Sequence, residues 1–481
     1  MLQNMSVPAG DGLNIKREED FSKWYWQLIT KSHLIDICEL SGFYILLPNS
    51  IDIWDNIKKE FDDIIKKNDV RNAYFPIFVS ESALTKEKEH VEGFMPEVAW
   101  VTKTGNEKLK ERLAVRPTSE TIIYPLYAKW IKTYRDLPLK RNSWCNVVRW
   151  EFKHAIPFIR SREFLWQEGH SAFASSKEAD DDVKNICDIY KYVYEKILAV
   201  PVIQGKKTDT EKFAGALYTL TCECYIPGAN RAVQAATAHH LGDKFSKMFN
   251  IKYVDSNNEE QYVNQTSWGF TTRSIGIMIM THSDNKGLVL PPRIAPINVV
   301  IIPHFDKNGN VSQAANNIYN KLQSNYIRSH IDTRKEFRAG YKFSEWELNG
   351  VPLRLEIGVK EISSNTIKAV RRDTGQTIIL NNDTLVNDVE ILLQIIQHDM
   401  LEAARSKLKI SKLSSIDNFH DEIKSGNMVL IPHCDTEDCE LFISGNGVKS
   451  LCKPLDQPPI EGKCCNCDLD AVTWTLFGKS Y

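Results

Sequence analysis

Apolar residues recur at helical spacing over residues 51–67, where Ile51, Trp54, Ile57, Phe61, Ile64 and Ile65 fall on one stripe and predict a helix. Residues 17–41 carry a similar pattern and read as an earlier helix, with FYILLP after it as a short buried strand. VRNAYFP predicts a strand stopped by Pro76, which cannot donate to a sheet ladder. Between residues 110 and 275 apolar strand patterns alternate with a few helices and many polar residues, the pattern of an antiparallel sheet carrying a site. VLPPRIAP, residues 289–296, favours extended backbone and reads as a linker. Beyond it INVVIIPH predicts a buried strand. A helix near 311–325 follows, then strands near 327–332, 352–358 and 366–371 and a helix over 385–405. That alternation argues for a small α/β domain. The last 80 residues hold a short helix, a cysteine cluster and the aromatic run VTWTLFGKSY.

Composition narrows the picture. The 481 residues suffice for about three domains. At 42% apolar and 25% charged the chain is ordinary for a globular protein, and no apolar run is long enough to span a membrane. The first residues are polar and acidic, unlike a secretory signal or transit peptide, and read as a short flexible leader over 1–16. A net charge of −2 does not announce a nucleic-acid binder, although local basic patches can serve that role. Of 11 cysteines, Cys38, Cys145 and Cys187 sit among apolar residues and read as core thiols, and Cys222 and Cys224 alternate on a strand. Six crowd between Cys434 and Cys467, which points to a metal site rather than a disulfide framework.

Candidate chemistry lies in three segments: RPTSET at 116–121, VVRWEFKHAIPFIRSREFLWQEGHS at 147–171, and TSWGFTTRSIG at 266–276. In the second, Arg149 and Glu151 are two apart on a predicted strand and share a face. A turn at Pro157 returns the chain with Arg160, Arg162 and Phe164. Guanidinium groups pair with phosphate or carboxylate oxygens, and a ring can stack on a base. A salt-bridged surface hairpin has the same pattern, but Arg273 in the third segment adds a further guanidinium. No P-loop, general-base dyad or Ser-His-Asp set is present. Carboxylate activation by ATP needs none, because the substrate carboxylate is the nucleophile and catalysis reduces to positioning and charge stabilisation.

These segments resemble the motifs of class II aminoacyl-tRNA synthetases: Pro76 the end of motif 1, Arg149 to Glu151 with Arg160 to Phe164 motif 2, and Arg273 motif 3. The more specific strings RPTSET, FLWQEGHSAF, EKFAGA, VQAATAHHLG, WELNGVPLRLEIG and TLFGKSY are similar to prolyl-tRNA synthetases of the eukaryotic and archaeal type, from about residue 17 to the end. The resemblance implies an α+β and α/β multidomain chain. It would have a class II antiparallel catalytic domain over 17–292, an α/β anticodon-binding domain over 293–400 and a zinc-bearing α+β domain over 401–481. It implies a cytoplasmic, homodimeric proline–tRNA ligase that forms prolyl-adenylate from proline and ATP and loads tRNA(Pro).

Residue by residue, the resemblance implies that Thr118, Glu120, Arg149, Trp166, His170 and His239 surround proline, with Phe94, Glu97 and Val98 in a flanking loop. Arg149, Glu151, Arg160, Ser161, Phe164, Gln234, Thr237, Thr271 and Arg273 would hold ATP, and Gln234 and Glu223 its magnesium. His239-His240 invites a metal reading, but no Cys or carboxylate lies at ligand spacing, so one pocket residue and one core histidine is preferred. Glu347 and Arg354 match positions that read two guanines of the anticodon, with Lys360 assisting. Cys434, Cys439, Cys465 and Cys467 would bind structural zinc, although Cys464 beside Cys465 leaves the third ligand open, and Cys452 is set aside. GALY places Ala216 and Leu217 where the family commonly has glycines. Motifs 2 and 3 lie only about 100 residues apart, which leaves no room for an editing insertion, so some misactivation of cysteine or alanine is expected. A paralogue that only binds RNA would not need the triphosphate grip, and a zinc-dependent nucleic-acid binder would not explain the first 290 residues.

Overall fold

The computed structural model describes residues 12–90, 97–151 and 154–481. The first helix, α1 (Phe21–Lys31), buries Trp24, Tyr25, Leu28 and Ile29, and Asp20 caps it by accepting from the Lys23 amide. It is much shorter than the pattern over 17–41 predicts. Ser32 turns its hydroxyl back onto the Leu28 carbonyl at 2.7 Å and His33 adopts a left-handed φ of 54°. Ile35–Ile37 then pairs with Tyr44–Leu46 as a hairpin. α2 (Pro48–Lys66) carries the predicted stripe, with Ile53, Trp54, Ile57, Phe61 and Ile65 buried.

The central sheet is built from β1 (Arg71–Asn72), β2 (Leu139–Val148), β3 (Glu163–Phe173), β4 (Ile203–Lys206), β5 (Tyr218–Ile226), β6 (Arg231–Gly242) and β7 (Asn264–Thr271), in the order β4-β5-β6-β7-β3-β2-β1. All pairings are antiparallel except β1 with β2. Of the strand expected over VRNAYFP, only Arg71 and Asn72 pair. The turn after β1 is fixed instead by Arg116, whose buried guanidinium donates to the carbonyls of Phe75 (2.6 Å), Pro76 (3.2 Å) and Asn146 (3.0 Å).

Period-two alternation gives this sheet two different faces. On one, Phe270 stacks with Trp54 of α2 and with Tyr190 of α4 (Ser176–Tyr192), at centroid distances of 6.0 and 6.1 Å. Phe61 and Trp268 join the same cluster. Each such side chain contributes about 1.5–3 kcal/mol by leaving water, so this face anchors the sheet and leaves the other open to polar residues. α3 (Glu120–Trp130) and α5 (Arg273–His282) abut the second face and the end of β7 respectively. Between β3 and β7 lie only strands of this sheet, its packing helices and one short hairpin, Lys252–Val254 with Glu260–Tyr262, so no separate domain is inserted there.

Residues 289–296 are not a loose linker. Leu290, Ile294 and Ala295 are buried, and the Arg328 guanidinium donates to the carbonyls of Pro292, Arg293 and Ala295 at 2.8–3.0 Å. The α/β unit that follows has β8 (Val299–Pro303), β9 (Ser329–Ile331), β10 (Leu353–Ile357), β11 (Thr366–Arg371) and β12 (Thr377–Asn381) in the order β9-β8-β10-β11-β12. Its helices include α6 (Asn310–Ser324), α7 (Ala339–Leu348) and α8 (Leu385–Arg405). α7 and β12 were not evident from the pattern; only Lys342 of α7 is fully buried, so the helix leaves no apolar stripe. Arg372 clamps Asp284 bidentately at 2.6 and 2.9 Å and ties this unit to the residues after α5.

The C-terminal strands β13 (Ile410–Lys412), β14 (Met428–His433), β15 (Val448–Pro454) and β16 (Thr473–Lys479) extend the central sheet. Lys453 and Pro454 of β15 pair with Lys206 and Gly205 of β4, and among the described residues the sheet has eleven strands. Gly205 has to lack a side chain, because a Cβ there would lie 2.4 Å from the Cys452 Sγ. Cys452 is therefore a packing thiol.

Candidate functional site

The second face of the sheet frames a cavity of about 330 Å³. On β3, Trp166, Glu168 and His170 line it at period two, while the intervening Gln167 turns to the core and accepts from the Tyr190 hydroxyl at 3.1 Å. Gly169 permits this geometry, since a Cβ there would collide with the Trp268 ring at 2.1 Å. Thr237 and His239 of β6 and Ser267, Gly269 and Thr271 of β7 complete the floor.

At one end the cavity is acidic. Glu120, the first residue of α3, is 4% exposed and accepts a short hydrogen bond from the Thr118 hydroxyl. Among the described residues it has no basic ion-pair partner. Glu168, 2% exposed, accepts from Ser119 and lies 3.3 Å from His170 Nε2. Burial alone would lower the His170 pKa, but the Glu168 hydrogen bond and the charges of Glu120 and Glu168 outweigh it and raise it. His239 goes the other way, down to about 3, because it is removed from water and faces His170. It is held neutral between the hydroxyls of Thr219 (2.9 Å) and Thr237 (3.1 Å). The Ser267 hydroxyl has no hydrogen-bond partner among the described residues. Two buried carboxylates and a neutral imidazole around a small space suit a compact ammonium group.

At the other end the cavity is cationic. Arg149 donates its Nε to the Pro117 carbonyl at 2.9 Å, and its guanidinium lies 5.7 and 5.3 Å from the rings of Phe164 and Trp166. Arg273 donates to the carbonyls of Ile159 (3.0 Å) and Gln234 (3.2 Å). Removal from water lowers its pKa, and so does repulsion from Arg160 and Arg149, which line the same cavity. Arg149 follows β2 instead of sharing a strand with Glu151 as expected, Arg160 lies in the turn before β3, and Arg273 opens α5.

Of the residues singled out in sequence, the cavity brings together Thr118, Glu120, Arg149, Trp166, His170 and His239, and also Arg160, Ser161, Phe164, Gln234, Thr237, Thr271 and Arg273. Glu151 is exposed on the turn beyond β2, not on a strand face with Arg149, and does not line the cavity. Glu97 and Val98 also lie off its wall, although the Glu97 carbonyl accepts from the Trp150 amide at 2.9 Å, and Phe94 lies outside the described residues. Glu223 faces Gln234 across β5 and β6 but lines an adjoining chamber, where Lys207 pairs with it at 2.7 Å. His240 is a satisfied core histidine, bonded to the Ser176 carbonyl and the Gly242 amide. Sequence reasoning missed Glu168, Ser267 and Phe213. Alternation could have found the first two, since Glu168 stands two residues from Trp166 and from His170, and Ser267 stands four residues, two periods, from Thr271.

Two further constellations lie apart. The Sγ atoms of Cys434, Cys439, Cys464 and Cys467 fall within 4.8 Å of one another, with Cys434 and Cys467 3.8 Å apart. A tetrahedral zinc thiolate site spaces its sulfurs by about 3.8 Å, so the donor set fits one. Hydrogen bonds from Thr436 and neighbouring thiols outweigh burial and hold the Cys434 thiol down to about 7. Cys464, not Cys465, belongs to the cluster. Cys465 packs beside the cluster and against the apolar core that holds Phe419 and Ile431, but it is not among the four whose sulfurs converge. In the α/β unit Glu347 and Arg354 are ion-paired at 3.1 Å, with Arg354 also bonded to Glu356 and 4.1 Å from the Phe343 ring. Lys360 is exposed on the short helix Val359–Ser363.

Comparison with known proteins follows the same divisions. Residues 100–282 match the tRNA synthetase class II core domain (G, H, P, S and T), residues 298–390 the anticodon binding domain, and residues 416–481 the prolyl-tRNA synthetase C-terminal family. The cytoplasmic proline–tRNA ligase of Arabidopsis thaliana is 46% identical over 492 residues, covering 100% of this chain and 93% of the relative. The proline–tRNA ligase of Encephalitozoon cuniculi is 46% identical over 98% of this chain and 99% of its own. The bifunctional glutamate/proline–tRNA ligase of Mus musculus is 47% identical, but the chain spans only 33% of it. A crystal structure of Cryptosporidium parvum prolyl-tRNA synthetase complexed with halofuginone and AMPPNP superposes with a TM-score of 0.94 at 46% identity, covering 98% and 99% of the two chains. A likeness that runs from end to end, in sequence and in shape, leaves one assignment: the chain belongs to the prolyl-tRNA synthetases of the class II aminoacyl-tRNA synthetases.

Proposed function

We propose that proline binds at the acidic end of the cavity and ATP across its cationic end, so that the two meet at Arg149. The observation that carries this reading is that the buried Glu120 and the three arginines Arg149, Arg160 and Arg273 line one continuous space. Glu120 and Thr118 receive the secondary ammonium, and Trp166, His170 and His239 enclose the ring. Arg149, beside Phe164 and Trp166, aligns the proline carboxylate with the α-phosphate. A carboxylate oxygen attacks that phosphorus, the bond to pyrophosphate breaks, and Arg273 and Arg160 stabilise the charge on the leaving group. No protein base takes part. The terminal hydroxyl of tRNA(Pro) then attacks the prolyl carbonyl and AMP departs. Gln234 and Glu223 would be the protein groups to meet magnesium, with Lys207 paired to Glu223 at 2.7 Å, and the ion would offset charge on the phosphates.

Cys434, Cys439, Cys464 and Cys467 would hold zinc, which would fix the fold of the C-terminal unit. The α/β unit reads the anticodon through Glu347, Arg354 and Lys360. The exposed Ile37, Leu40 and Ile45 of the N-terminal hairpin support a homodimer interface. No described helix is long and apolar enough to cross a membrane. The reading assigns the chain to the cytoplasm, as in the Arabidopsis relative. Proline-dependent ATP–pyrophosphate exchange tests the whole. Exchange with proline is expected, and a folded protein that exchanges no pyrophosphate with it would overturn the reading.

A further inference from the structure

The cysteine cluster and the amino-acid pocket are joined by one buried carboxyl group. The helix α9 (Glu437–Ile443) carries the cluster's Cys439 and, next to it, Glu440. Glu440 is 5% exposed, and its Oε1 accepts from Thr208 at 2.8 Å, from Thr210 at 2.5 Å and from Ser450. Thr208 and Thr210 belong to the catalytic sheet's β4–β5 connection, whereas Glu440 and Ser450 belong to the C-terminal unit. Among the described residues no lysine or arginine pairs with Glu440. A buried carboxyl group held only by hydroxyls is a poor source of stability, because its desolvation is not offset by an opposite charge. Three convergent donors do, however, fix a position.

What they fix is a wall of the pocket. Residues 208–216 form a tight turn, with the Thr208 carbonyl accepting from the amides of Glu211 and Lys212. Glu211 and Phe213 line the cavity. The Phe213 ring lies 4.6 Å from His239, and its amide donates to Thr219, whose hydroxyl is 2.9 Å from His239 Nδ1. The same stretch is gripped on both sides by the C-terminal unit, through Lys207 to the Leu451 carbonyl at 2.8 Å and Lys449 to Glu211 at 2.9 Å. At the nucleotide end Glu211 and Ser450 border the adjoining chamber with Arg160 and Arg273, but the carbonyls that orient Arg149 and Arg273, of Pro117, Ile159 and Gln234, lie outside this turn.

We infer that Glu440 is a positioning residue for the amino-acid pocket, through which the helix of the cysteine cluster sets the place of Phe213 and His239. The inference rests on proline binding in this cavity. Loss of the Glu440 acceptor would let the turn relax and degrade proline binding, leaving the nucleotide contacts in place.

The test compares Glu440→Leu, which keeps bulk but cannot accept, with Glu440→Gln, whose amide oxygen still can. KM for proline and for ATP would be measured by pyrophosphate exchange, Kd for proline by calorimetry, and bound metal and melting temperature for each protein. For Glu440→Leu the expected result is a rise of about tenfold in KM and Kd for proline with KM for ATP within about twofold, as a displaced contact surface predicts. Glu440→Gln should recover most of the loss, and metal content should stay that of the parent. A joint rise of both KM values, or no change in proline affinity, would overturn the inference. Should Glu440→Leu fail to fold, Thr210→Val removes one donor from the catalytic side. It should show a smaller shift of the same kind, and an unchanged proline Kd would overturn the inference equally. An unmutated protein without proline-dependent exchange would sink the functional reading instead.

Discussion

The catalytic cleft and the α/β unit both present arginines, but hold them in opposite ways. Arg149 and Arg273 rest on neutral backbone carbonyls of Pro117, Ile159 and Gln234. Arg354 is pinned between the carboxylates of Glu347 and Glu356, and Lys368 adds a further pair to Glu356 at 3.0 Å. A guanidinium oriented by carbonyls keeps its full charge for a ligand. One neutralised by carboxylates has to exchange partners on binding and gains only the difference. The cleft is thus built to stabilise developing negative charge, and the α/β unit to discriminate hydrogen-bond patterns at little net charge.

That contrast can be broken from several sides. Arg149→Ala should lower proline-dependent pyrophosphate exchange by about 10²- to 10³-fold, the usual loss for a charge-stabilising donor. A loss under tenfold would mean that the carbonyl-held arginine is not the meeting point of the substrates. Glu120→Gln keeps the shape of the acidic end and removes its charge. It should raise KM for proline by about 10- to 100-fold, as for a charge-assisted hydrogen bond, and leave KM for ATP near its parent value. Arg354→Ala should cut aminoacylation by about tenfold through tRNA while leaving pyrophosphate exchange intact. Equal losses in both assays would assign it a structural role.

The smallest effect concerns pH. His239 is neutral in the folded protein, with its pKa lowered to about 3 from 6.5, so the unfolded chain binds the extra proton between those values. The stability tied to it is complete above about pH 6.5 and is lost as pH falls through that window. His170, raised instead, contributes stability below its ordinary value that is lost as pH rises through the raised one. His239→Gln should flatten the fall in melting temperature on the acid side, measured by thermal denaturation across about pH 4–7.5. A slope equal to the parent's would place the acid sensitivity elsewhere.

The comparison also separates what pattern could and could not reveal. The stripe of α2 was plain because a helix against a sheet needs apolar residues every three to four positions. Four of the five strands of the α/β unit were plain because sheets covered on both sides read as unbroken apolar runs, as in Val299–Pro303. α7 was invisible for the converse reason, and α1 was overdrawn because Ser32 and His33 end it by a local hydrogen bond and a left-handed turn. In the site, Arg149, Arg160 and Arg273 were named from motifs, but the strand expected to carry Arg149 ends at Val148. Glu168 was passed over although it stands between Trp166 and His170 on the same face. At the cysteines, spacing along the chain left Cys464 and Cys465 open, and only the direction of the side chains separated them.

By itself the sequence determined the list of chemical groups, the period of each element and the family, because these are local properties written in neighbouring residues. Tertiary structure decided the rest: that Arg149 and Arg160 line one cavity with Glu120 and with Arg273 of a distant segment, that Glu223 is neutralised by Lys207, and that β15 joins β4 so that Glu440 reaches Thr208. Those outcomes depend on distances of a few ångströms between residues up to about 240 positions apart. Charge coupling and hydrogen bonding fall off over that range in space, whatever the separation along the chain.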